Sequence, residues 1–547
     1  MAARPPDPPQ EPPRGVATAS RPASRYLMTE RGYLHPMKTY VWITLLVVGV
    51  MSLLYYVVGL GPDAQGSLPP SFGFGVSDLY FHSIAIGMAA LAVYLVFLAF
   101  DLDRYEPGID FPIPYRALVA TLVGAIGAAF YLRPIFNTEL APIPLGLILV
   151  GLIFLADVGG ALLVQLYLLP GKISGRYDPH ENRLGMIPRW RTLPSWGDFR
   201  QMDSTYWLTF VTVISAFVAG VIGFVSFWVN FFIIDIGVSP ALFNGYIAWL
   251  GGASAVLGST LGSHSHMMVM ALIVGVVAIV ARRFHVLALD GWKHRMAQVG
   301  LWISITGVLA FTTVFVLESF TTIFPNGTPP LLLASNPGGP LELFSSTAAN
   351  GMASDDTTML WAAVGAIVVL VPLLFTTIRG RAAGRDPVRG AILATWILSF
   401  LATPIEGFYI EFHEATLSGA PTDVVFGQLQ YFALVGITLI CMTLLLVDYY
   451  VDLRGTRTPI AGLAVFSVLI ATVGGFLYAF YTTDTGSPGY WVFNAGFLLM
   501  DLFIIVAMAA VYVGRCDKIA DAEVSTAPTT ERAPAPVEPV AAAKGPT

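Results

Sequence analysis

Every lysine and arginine in this 547-residue chain except Arg133 falls in alternate loops between long apolar runs, or in the two terminal tails. Positive charge is retained on the cytoplasmic side of a membrane, so this alternation sets a topology before any motif is read. A spanning helix needs about 20 mostly apolar residues, and twelve segments of that kind can be counted. Their cores are 39–60, 79–100, 115–133, 143–168, 206–234, 265–281, 298–317, 358–378, 390–404, 426–447, 458–480 and 490–513. The ninth is short, and 240–262 has room for a re-entrant piece. The expectation is an all-α polytopic membrane protein with about twelve transmembrane helices and both termini cytoplasmic, in the inner (plasma) membrane of a cell. A mean hydropathy of +0.70 with only 12% charged residues excludes a soluble protein of this length.

The basic groups fall into clear sets. Arg4, Arg14, Arg21, Arg25, Arg31 and Lys38 precede the first span, and Lys172 to Arg200 fill the loop 169–205. Later loops carry Arg282, Arg283, Lys293 and Arg295, then Arg379 to Arg389, then Arg454 and Arg457. The intervening loops at 61–78, 237–262, 319–357, 405–424 and 481–489 contain neither lysine nor arginine. Residues 1–38, rich in proline and arginine and without an apolar h-region, read as a disordered cytoplasmic tail rather than a signal peptide. Residues 39–515 form the transmembrane domain, and 516–547 read as a second disordered cytoplasmic tail. The loop 169–205, with Trp190 and Trp196 among its basic residues, suits the inner headgroup layer. The Pro/Gly/Asn-rich loop 319–357 has the length of a lid or docking surface, and carries a formal sequon at Asn326. Two cysteines, Cys441 and Cys516, do not make a disulfide scaffold or a thiolate-held cluster. With no P-loop and no dinucleotide fingerprint, ATP-driven transport within this chain is not expected. The expected partners are the lipid bilayer and other membrane or cytochrome subunits, with a quinol as a further candidate and no nucleic acid.

The eight histidines divide evenly. His35, His180, His285 and His294 lie among basic residues on the cytoplasmic side and read as solvated. His82, His264, His266 and His413 lie toward the outer face. A neutral imidazole offers one good nitrogen to haem iron, copper or zinc. In Ser263-His264-Ser265-His266 the two imidazoles sit at i and i+2, about 200° apart around a straight helix. Either one faces a ligand and the other faces elsewhere, or the helix begins only after them. Asp78, one turn before His82, is placed to accept from its second nitrogen. Glu406, Glu411 and Glu414 surround His413, as carboxylates surround a metal or a cation entry site. Ionisable groups inside spans are costly and invite a functional reading. Asp157 in span 4, Asp501 in span 12 and Glu318 at the outer end of span 7 are the candidates for a proton path, with Gln165 and Tyr167 below Asp157.

Twelve spans, a histidine at the outer end of span 2 and a His-x-His at the outer end of a later even span resemble the catalytic subunit of haem–copper oxidases and nitric oxide reductases. The resemblance implies a b-type haem near the outer face, held by His82 and one of His264 and His266. That family places its His-x-His in span 10, where this chain has Gln428 and Gln430, and the chain has no adjacent histidine pair for copper. Electron transfer rather than oxygen reduction is therefore what the resemblance implies: a redox subunit passing electrons from a quinol or an external carrier to a partner. The alternative is a proton-coupled transporter or channel for copper or another soft metal. His264, His266, Met267, Met268 and Met270 supply imidazole and thioether groups of the right softness. A transport site, however, belongs near the midplane, and these residues lie at one end.

Overall fold

The computed structural model describes residues 36–54, 76–102, 112–129, 142–175, 193–228, 253–321, 354–379, 386–398, 436–451, 454–480 and 487–513, and among them all regular structure is helical. In chain order the helices are α1 Pro36–Leu54, α2 Val76–Phe100, α3 Ile113–Ala129, α4 Pro142–Ile173, α5 Trp196–Phe199, α6 Ser204–Trp228 and α7 Ala253–Arg283. They continue with α8 Trp292–Thr321, α9 Ser354–Arg379, α10 Pro387–Leu398, α11 Ile437–Tyr450, α12 Arg454–Phe480 and α13 Pro488–Val513. Each of the twelve apolar segments overlaps one of these helices, and α5 is a single turn within the loop after α4. Seven of them, α1, α2, α4, α6, α8, α12 and α13, are long and apolar enough to cross a membrane. Hydrocarbon offers the backbone no hydrogen-bond partner, so such segments must satisfy their own amides as helices. The protein is an all-α polytopic membrane protein.

α2 and α11 form the centre. Every residue of α11 is buried, and 78% of the apolar stretch of α2 is buried, against 22% for α4 at the periphery. Packing of this kind cannot rely on expulsion of water and depends on close approach at small residues. A Cβ on Gly307 of α8 would lie 2.5 Å from the Ala362 nitrogen of α9. One on Gly496 of α13 would lie 2.5 Å from Cα of Ala471 in α12. These two helix pairs, with α6·α7 and α3·α4, make the most extensive contacts in the bundle. Hydroxyls inside the spans mostly return to their own helix, as Thr212 Oγ1 does to the Leu208 carbonyl at 2.9 Å. A few cross between helices: Thr44 of α1 meets Tyr94 of α2 at 3.1 Å, and Tyr206 of α6 donates to the Leu166 carbonyl of α4 at 2.9 Å.

The helix ends that carry basic residues gather at one end of the bundle. Asp448, at the end of α11 and 1% exposed, accepts from Arg283 Nε of α7 at 2.6 Å and from an Arg457 guanidinium nitrogen of α12 at 2.6 Å. Arg457 also donates to Asp386 at 2.8 Å, and Arg389 of α10 approaches Asp448 at 3.7 Å. Nearby, Arg282 donates to the Ala99 carbonyl at 2.7 Å and to Asp203 at 3.2 Å, with its guanidinium over the Phe100 ring. At the same level Asp198, buried before α6, accepts from both the backbone and hydroxyl of Ser195 at 2.7 Å, tying down the turn that leads into that helix.

One boundary and one pairing go beyond the sequence reading. α7 does not begin at its histidines but about three turns earlier, at Ala253, because Ala253–Leu261 is a run of small and apolar residues without a breaker. It runs unbroken through His264 and His266. Asp157, read as a proton-path candidate, forms an ion pair with Arg116 of α3 at 2.5 Å. Arg116 sits one turn inside α3 and meets the carboxylate across the α3·α4 contact.

Candidate functional site

The N-terminal halves of α2 and α7 bring two histidines together. The rings of His82 and His264 lie with centroids 6.2 Å apart and planes within 10° of parallel. His82 stands six residues into α2, and His264 eleven residues into α7, so each sits on a formed helix rather than on a loop. That is the arrangement a rigid site requires, because the backbone fixes each ring within a narrow range.

His264 is positioned by α6. Its ring lies on Gly223: a Cβ there would stand 2.5 Å from Nδ1, 2.8 Å from Cε1 and 3.0 Å from Cγ. Only glycine leaves room for the imidazole at this crossing. Nδ1 is buried and makes no hydrogen bond of ordinary geometry, while the Ala219 backbone one turn along α6 faces the ring. A small ring rotation would give Nδ1–H that carbonyl as acceptor and leave Nε2 on the cavity side.

The two rings border a cavity of about 410 Å³ enclosed by α2, α4, α6 and α7, within the size range of cofactor sites. It runs from His82 to Val96 on α2 and from His264 to Ile279 on α7, about 20 Å at the helical rise of 1.5 Å per residue. Its walls are apolar apart from the two histidines, Thr209, Thr212 and Ser226. Both threonine hydroxyls are spent on carbonyls of their own helix. On one side the wall includes Ile153, Val221 and Phe224, which are 51%, 48% and 38% exposed on the bundle surface. The cavity therefore reaches the lipid between α4 and α6. Below that opening Phe217 packs on Gly159 and Gly160.

A metal–imidazole bond of about 2.0 Å on each side of one ion puts two axial ring centres about 6 Å apart. The 6.2 Å separation of the His82 and His264 rings is about that spacing, but the rings are stacked, so each must turn to bring an in-plane nitrogen onto one ion. Among the described residues no group of three or more His, Cys, Asp or Glu side chains gathers around one point. A metal held here by protein would thus take two protein nitrogens, and its remaining ligands would come from a flat group lying between α2 and α7. The long, apolar, glycine-walled cavity has the shape for such a group.

The other sequence candidates are placed as follows. The side chains of His266, Asp78 and Glu318, and the whole of His413, lie outside the described residues. Met267 is fully buried in the core and Met268 lines the cavity. Asp157 is not part of the cavity wall, although its neighbours Ala156 and Val158 are. Asp501 is buried elsewhere, in α13, with Ser52 of α1 as its hydrogen-bond partner. The role of Gly223 was missed from sequence, since a lone glycine in an apolar span carries no signal of what crosses it. No family model matches the chain, and no curated protein or solved structure does either.

Proposed function

We propose that this protein is a membrane electron-transfer subunit in which His82 of α2 and His264 of α7 would hold one b-type haem. The observation that carries the reading is the ring pair: two imidazoles on separate helices, parallel and 6.2 Å apart, at the head of an apolar cavity. A haem held there supplies one-electron transfer between its two iron oxidation states. The residues around it do the rest. Gly223 sets the depth of the His264 ring, and the Ala219 carbonyl, once the ring turns to it, would select the tautomer that leaves Nε2 free as a ligand nitrogen. The aliphatic walls keep water from the site and lower the local dielectric, which is how a protein tunes a redox potential without changing ligands. The lateral opening at Ile153, Val221 and Phe224 lets a lipid-soluble donor such as a quinol approach from the bilayer.

The reading is tested by a reduced-minus-oxidised visible spectrum of the full-length protein in detergent, with haem extraction on the same sample. The expected result is a sharp six-coordinate b-type signal that disappears in His82→Ala and in His264→Ala and persists in His285→Ala. Full haem content in both His82→Ala and His264→Ala would overturn it. A colourless protein carrying copper would instead favour soft-metal transport.

A further inference from the structure

α13 carries polar side chains on a single buried face. Ser487, Asn494 and Asp501 recur at intervals of seven residues, two helical turns, so they stack along one side. They are 8%, 8% and 4% exposed, in a helix that is otherwise almost wholly apolar. Ser487, just before the helix, accepts from the Tyr490 amide at 3.3 Å. Further in, Asn494 Oδ1 and Asp501 Oδ2 are buried without a hydrogen-bond partner. The Ser52 hydroxyl of α1 bonds the Asp501 carboxyl.

A buried polar atom left without a partner costs roughly 1–3 kcal/mol, and a lone carboxylate in an apolar interface costs far more. Among the described residues, the cations of the packed helices are placed elsewhere or already committed. Lys38 lies fourteen residues from Ser52 along α1, and Arg457 of α12 is committed to Asp386 and Asp448. The form of Asp501 that suits this interface is the neutral acid, with its proton on the oxygen that has no partner. Two such atoms at 494 and 501, about 10 Å apart along the helix, are the acceptors that buried water needs in an apolar wall.

We propose that Ser487, Asn494 and Asp501 form a water-assisted proton file, leading from the Pro488 end of α13 to a protonatable carboxyl halfway along the helix. The ligand is a proton: Asp501 gains it as the carboxylic acid and releases it as the carboxylate, with no change of redox state. The file stands apart from the histidine cavity and does not depend on what that cavity holds.

The test uses the full chain in liposomes. Treatment with dicyclohexylcarbodiimide, which attacks protonated carboxyls in apolar surroundings, is followed by peptide mass spectrometry. An adduct on Asp501 that is absent in Asp501→Asn is expected. Infrared spectra in heavy water then follow deuteration of the protonated carboxyl band that Asp501→Asn removes. Asn494→Leu is expected to slow that exchange tenfold or more, while Thr472→Val, a buried hydroxyl of α12 bonded to its own helix, leaves it unchanged. If Asp501→Asn does not fold, the adduct site in the unaltered protein and the Asn494→Leu comparison still decide. No adduct on Asp501, or exchange in Asn494→Leu at the unaltered rate, overturns the proposal.

Discussion

Replacing Gly223 by alanine tests the histidine site without touching a ligand. The new Cβ would stand 2.5 Å from His264 Nδ1, whereas unbonded heavy atoms settle at about 3.5 Å. The ring or its helix must therefore yield by about 1 Å, several times the roughly 0.2 Å tolerance of a metal–ligand bond. The push comes from α6, so it drives His264 into the cavity and off the line joining it to His82. Disturbing the support of a ligand costs about 10–100-fold in affinity, and haem retention in detergent should fall within that range, with loss of the six-coordinate signal in what remains. Gly220 is the matched control: it lies one turn away on the same helix and lines the same cavity, but a Cβ there meets nothing within 4 Å. Both substitutions gain the same helix propensity, about 1 kcal/mol in favour of alanine, so any difference between them is steric. Spectra and haem content recorded for both variants give the answer. Unchanged loading in Gly223→Ala, or equal loss in Gly220→Ala, would refute the positioning argument.

Asp448→Asn should lower stability by about 3–5 kcal/mol, because it leaves the Arg283 and Arg457 guanidiniums buried around a neutral amide. Adding Arg283→Gln should restore part of the lost melting temperature in detergent, and a strictly additive double variant would contradict the coupling. Gly307→Ala should cost about 1–3 kcal/mol by overpacking the α8·α9 contact. Gly462→Ala, whose Cβ meets nothing within 4 Å, should leave the melting temperature unchanged or slightly higher.

The helices were legible because hydrocarbon permits little else: an apolar run of sufficient length has to be a helix, and wherever the described residues cover the twelve runs they are helical. His82 and His264 could be singled out as chemistry-bearing residues, but their pairing could not, because it depends on how α2 and α7 cross. Where the His264 ring lies depends likewise on the rotation of α7, which neighbouring helices set through contacts such as Gly223. Asp157 was singled out as a proton-path candidate, but its partner Arg116, 41 residues earlier, was not foreseen. The Asp448 cluster joins Arg283, Arg389 and Arg457, three loops apart in sequence, and its charges looked like ordinary cytoplasmic bias. The seven-residue recurrence of Ser487, Asn494 and Asp501 was present in the sequence throughout. Burial is what distinguishes it from chance.

The levels at which these groups sit have a consequence for how each responds to voltage. His264 lies nineteen residues from Arg283 along α7, about 28 Å, close to the full thickness of a hydrocarbon core of about 30 Å. An electron reaching the ring pair from the near face would cross almost none of the transmembrane field. Asp501 lies thirteen residues from Pro488 and twelve from Val513, at the midpoint of α13. A proton arriving there crosses about half the field, roughly 1.2 kcal/mol for each 100 mV. That corresponds to about a sevenfold change in its occupancy per 100 mV. If both proposals hold, the carboxyl of α13 would sense the energised membrane, and an electron entering at the histidine pair would not.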